Sequence, residues 1–122
     1  CYDNVELFAR GYQFAKQNAL KLHRAGGRVG VASDSGGSCM SYFGVFYYGE
    51  LKRMLEAGFS NYETLKAATS VNAQTLDMAD RIGSLQKGKL ADIVAVAGNP
   101  LEDLAVMQNI KMVFKEGGQV SL

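Results

Sequence analysis

Between residues 4 and 25 apolar positions recur every three or four residues, which puts Val5, Phe8, Tyr12, Ala15, Ala19 and Leu22 on one stripe. That period predicts an amphipathic helix. Asp3 or Asn4 can cap its first amides, and Gly26-Gly27 ends it. His23 and Arg24 fall in its last turn, where positive or polar groups suit the helix dipole, so His23 reads as a helix-end residue before it reads as a ligand. Residues 28–33, Arg-Val-Gly-Val-Ala-Ser, are short, apolar and β-branched, which predicts a buried parallel strand. A polar, glycine-rich loop at 34–38 and an aromatic stretch at 40–48 follow. Packing is the commoner use of such aromatics, and pocket lining the rarer one.

The helical period returns at 50–57 and stops at Gly58, a C-cap. Ser60 and Glu63 have the spacing of a reciprocal capping box, opening a helix that runs to about Met78 and bends near Ser70-Val71-Asn72. From Ile82 the period shortens to two, predicting strands at 82–85 and 91–96 around a turn at 86–89, with Lys87 and Lys89 as solvated turn residues. Asn99-Pro100 breaks the chain before a short helical segment at 101–107. A hairpin closes the sequence, with 111–115 and 119–121 as strands and Glu116-Gly117-Gly118 as the turn. The order is helix, strand, helices, then antiparallel β. A lone parallel strand has no neighbour to pair with, and an unpaired edge is unfavourable, so the pattern predicts a piece of a larger fold.

Length and composition narrow the function. The 122 residues, 48% hydrophobic and 20% charged, are at most one domain of ordinary globular protein. Thirteen Lys+Arg against twelve Asp+Glu leave a charge of +1, without the basic excess that a nucleic-acid or anionic-membrane partner calls for. No apolar run reaches the ~20 residues of a membrane span. Cys1 and Cys39 fit no zinc or redox spacing and read as free thiols in a reducing cytoplasm. His23 is the only histidine, so a mechanism that needs several imidazoles is not completed by this chain.

The candidate for chemistry is Asp34, immediately after the predicted strand. In α/β barrels functional side chains project from the C-terminal ends of strands, and a carboxylate there can bind a divalent cation or take a proton from water. The competing reading is an Asp that starts a turn. Asp34-Ser35-Gly36-Gly37 also echoes the nucleophile loop of trypsin-like proteases. Ser35 would then need His23 as its base, and the two should lie near opposite ends of the strand, about 16 Å apart at strand rise. Ser35-Gly36-Gly37-Ser38 could instead cradle an anion, but it lacks the lysine of a nucleotide-binding loop.

Two segments carry a resemblance: 63–73, Glu-Thr-Leu-Lys-Ala-Ala-Thr-Ser-Val-Asn-Ala, and 81–94, Arg-Ile-Gly-Ser-Leu-Gln-Lys-Gly-Lys-Leu-Ala-Asp-Ile-Val. With 98–103 and 113–118 they make the chain resemble the C-terminal end of metal-dependent amidohydrolases, in the branch of imidazolonepropionase-like and Xaa-Pro dipeptidase-like enzymes. The resemblance implies an α/β fold that is incomplete alone. Residues 1–79 would be the last part of a (β/α)8 TIM-type barrel, and 80–122 the C-terminal part of a small accessory β-domain. It implies that Asp34 is both a metal ligand and the base for the water that attacks the scissile carbonyl. The remaining ligands, including a His-x-His pair, are absent from these residues. The implied activity is hydrolysis of C–N bonds in small amide, cyclic amide or dipeptide-like substrates, using a divalent ion, zinc where histidines dominate. A cytoplasmic location is expected, with no nucleic-acid or membrane partner. The isolated chain should be inactive, and either homo-oligomeric or associated with a missing N-terminal portion. The alternative is a non-catalytic stable fragment.

Overall fold

The computed structural model describes residues 2–35 and 44–121. Cys1, Cys39 and the aromatic residues at 40–43 lie outside them, as does most of the glycine-rich loop.

Helix α1 spans Tyr2–Arg24 and ends at Gly26, whose φ of +85° only glycine adopts readily. Much of its predicted apolar stripe is uncovered by the described residues: Phe8 is 77% exposed. The helix is held near its middle and C-terminal end. Tyr12 Oη donates to Glu56 on the second helix at 2.9 Å, and the His23 ring stacks obliquely on Phe59 with centroids 4.8 Å apart.

Helix α2, Val45–Ala57, starts earlier than its period predicts and closes on Gly58 in the left-handed conformation. Helix α3, Asn61–Lys66, opens with the expected capping box. Glu63 N donates to Ser60 Oγ at 3.2 Å, and Ser60 N donates to Glu63 Oε2 at 2.7 Å. The predicted bend is a wide π turn over Ala67–Val71, after which α4 continues through Asn72–Thr75. The residues of this turn carry the reason. Thr69 and Ser70 hydroxyls donate back to the Leu65 and Lys66 carbonyls, and such back-bonding loosens the regular ladder.

Strands β1 (Ile93–Val96), β2 (Ile110–Lys115) and β3 (Gly118–Val120) make one antiparallel sheet in that order. Val94 faces Val113, Val113 faces Val120, and a bulge falls between Ala95 and Val96. Glu116 and Gly117 turn the β2–β3 hairpin with φ of +51° and +85°, the positive pair that a tight two-residue turn requires. The Asp92 carboxylate anchors this turn by accepting from Lys115 Nζ and from Glu116 N. Between β1 and β2 the predicted helical segment is a 3-10 turn, Leu104–Gln108.

Two predicted strands are corrected. Residues 82–85 form no ladder. Gly83, at φ +86°, lays its backbone against Ala73 and Ser70, and that close approach replaces extension. Residues 28–33 form no ladder among the described residues, because a parallel strand exists only through its neighbours. Lys89 is corrected as well. Its ammonium is not free in solvent but donates to Ala79 O and Ser84 Oγ, tying the 82–90 segment together.

The core is small. Val31, Leu51, Ala67 and Leu104 are buried together, with Tyr47, Met54, Leu65 and Met107 packed around them. It joins the 28–35 segment to α2, the π turn and the 3-10 turn, and so fixes where that segment sits against them.

Candidate functional site

Asp34 lies three residues beyond Val31, which anchors the 28–34 segment in the core, and it is exposed. Its φ of +50° is left-handed, a conformation in which Asp is enriched among non-glycine residues. Just beyond it, Ser35 N donates to Ser33 Oγ at 3.4 Å.

The described residues contain no group of three or more His, Cys, Asp or Glu side chains able to hold a metal ion. A catalytic zinc keeps about three protein ligands. Asp34 offers one carboxylate, so the donors described here do not fit a metal site by themselves.

The protease-like relay is not assembled. His23 Nε2 lies 3.0 Å from Glu63 Oε1, and Ser35 Oγ has no hydrogen-bond partner among the described residues. Because an ionised carboxylate only accepts, Nε2 carries the proton in this contact. The Ser60 backbone N–H, the His23 side chain and the Ser60 hydroxyl together hold the Glu63 carboxyl down from its ordinary 4.5 to about 2. His23 stands in the last turn of α1, and there it ties the end of that helix to the start of α3. A cleft of about 500 Å³ opens beside it, lined by His23, Arg28, Ser60, Glu63, Lys66 and Gln74. It borders Gly27, Arg28 and Val29 at the start of the 28–34 segment, whereas Asp34 stands at its other end.

A second hollow of about 500 Å³ is mainly apolar and lies between the helices and the sheet, among Tyr47, Leu51, Leu65, Leu90, Ile93 and Met107. Burial beside it raises the Tyr47 phenol above its ordinary range. The Tyr47 hydroxyl donates to Ala68 O at 3.3 Å, so this aromatic both packs on the core and lines the hollow.

One residue near the site was not singled out from the sequence for any role there. The Asn72 side chain donates from Nδ2 to Val31 O at 2.7 Å and accepts at Oδ1 from Val31 N at 3.1 Å. The signal was available as a glycine, Gly30, inside a β-branched run, where a close approach of another group is a standing reason for glycine.

No curated protein matches the sequence. Among solved structures, a Xaa-Pro dipeptidase with methionine bound in its active site is 30% identical, with a TM-score of 0.74 over 88% of this chain and 25% of that one. A prolidase-like protein of Bifidobacterium longum is 36% identical, with a TM-score of 0.75 over 85% of this chain and 25% of that one. Molinate hydrolase is 25% identical, with a TM-score of 0.75 over 85% of this chain and 26% of that one. The chain thus spans about a quarter of the length of these structures. The model of the amidohydrolase family matches residues 15–120, nearly the whole sequence, and the chain belongs to that family.

Proposed function

We propose that this chain forms the closing part of an enzyme that hydrolyses amide bonds in small, dipeptide-like substrates. Residues 1–79 would complete a (β/α)8 barrel and 80–122 would contribute to an accessory β-domain. The family match over 15–120, with a dipeptidase and a prolidase-like protein among the similar structures, is the observation that carries this reading.

Asp34 would be the catalytic carboxylate. It would accept a proton as water adds to the scissile carbonyl and return it to the nitrogen as the C–N bond breaks. Its exposure at the end of a core-anchored segment supports that role. A divalent ion such as zinc would polarise the carbonyl and the water when bound, with its other ligands supplied from outside the described residues. The exposed Leu7, Phe8, Phe14 and Leu22 of α1 support a companion proposal, that the chain works against further polypeptide.

The test is hydrolysis of Xaa-Pro dipeptides by the full-length protein that carries this segment. Asp34→Asn should lower kcat/KM by at least about 100-fold, the usual scale of a lost general base. Unchanged turnover and unchanged metal content would remove Asp34 from the mechanism.

A further inference from the structure

We propose that Asn72 is a positioning residue for Asp34, a reading that rests on the catalytic role proposed for that carboxylate. One side-chain amide satisfies both the N–H and the C=O of Val31, as a neighbouring strand does for every second residue of a parallel pair. Val31 lies three residues before Asp34 and is 5% exposed, so its peptide groups have little access to water. A buried amide left unpaired is unfavourable.

Two features aim Asn72 at that backbone. The wide turn over Ala67–Val71 ends immediately before it, and π turns of this kind recur at functional sites. Gly30 leaves the space: a Cβ at residue 30 would stand 2.2 Å from Asn72 Oδ1. Glycine at 30 and asparagine at 72 are therefore one device with two parts. It registers the 28–34 segment against α4, and through three residues of backbone it sets where Asp34 is held.

The experiment uses the full-length protein and compares Asn72→Ala, Gly30→Ala, the double variant and Asp34→Asn. With Asn72→Ala, amide exchange at Val31 should quicken by about tenfold, the scale of one lost hydrogen bond. The value of kcat should fall at least about tenfold with KM within about twofold, the pattern of an interaction that matters in the transition state. The acid limb of the pH–rate profile should also move, which a smaller folded fraction would not cause. Gly30→Ala should reproduce these effects, because its methyl displaces the amide, and the double variant should be no worse than Asn72→Ala alone. If Asp34→Asn abolishes turnover while Asn72→Ala and Gly30→Ala leave kcat and the pH profile unchanged, the positioning role fails and the catalytic reading stands. If Asp34→Asn keeps full turnover, both fall.

Discussion

Gly83 offers a sharp test of how the 82–90 segment seats on the helices. An alanine there would place its Cβ 2.5 Å from Ala73 Cβ and 3.1 Å from both Ser70 Cα and Thr69 O. Carbon atoms in contact prefer about 3.5–4.0 Å, so about 1 Å or more must be absorbed by a buried side chain and helix backbone. The φ of +86° adds a second cost, since an L side chain in the left-handed region loses about 1–2 kcal/mol. Overpacking of this kind costs about 1–3 kcal/mol, so Gly83→Ala should destabilise by about 2–5 kcal/mol in total. Gly88 is the internal control: its φ is +93°, but nothing lies within 4 Å of its would-be Cβ. Gly88→Ala should carry only the conformational cost, and the entropy gained by restricting the unfolded chain is common to both. Urea unfolding followed by circular dichroism, with the slope unchanged, reads the difference. Ala73→Gly removes the struck methyl, so combined with Gly83→Ala it should recover about 1–3 kcal/mol relative to additivity. Equal midpoints for the two glycine variants, or a strictly additive double variant, would refute the packing account.

Two further outcomes follow from the cap of α3. Ser60→Ala removes the acceptor of Glu63 N and should cost about 1 kcal/mol, lowering the melting temperature by about 3–6 °C. Ser60→Thr, which keeps the hydroxyl, should melt close to the parent, and identical melting of the two variants would dismiss the cap. Glu63, with its carboxyl held down to about 2, contributes stability that is fully present above pH 4.5 and lost as pH falls from there toward 2. The melting-temperature gap between the parent and Glu63→Gln should therefore be constant at pH 5–7 and shrink below pH 4.5. A gap that stays flat down to pH 2.5 would mean the tie to Ser60 and His23 does not persist in solution.

Local chemistry accounts for what was legible in the sequence. The Ser60–Glu63 box, the Gly58 cap, the end of α1 at Gly26 and the Glu116–Gly117 turn each depend on residues within a few positions of one another. The sequence determines such features directly. The bend before Asn72 was readable for the same reason, because Thr69 and Ser70 compete for carbonyls one turn back. The family resemblance was also carried by the sequence, in the segments around 63–73 and 81–94, and the match over 15–120 agrees with it.

What tertiary structure alone decided has a different physical origin. Residues 28–33 have the composition of a strand, but a strand is defined by the partner that bonds it. Here the partner of Val31 is a side chain 41 positions away. Residues 82–85 alternate like a strand, yet the fit of Gly83 against Ala73 holds them on a helix instead. Lys89 reads as a solvated turn residue until folding brings Ala79 O and Ser84 Oγ within reach of its ammonium. In each case the deciding contact, five to 41 positions away, forms only once the chain has folded, so no local period or propensity can report it.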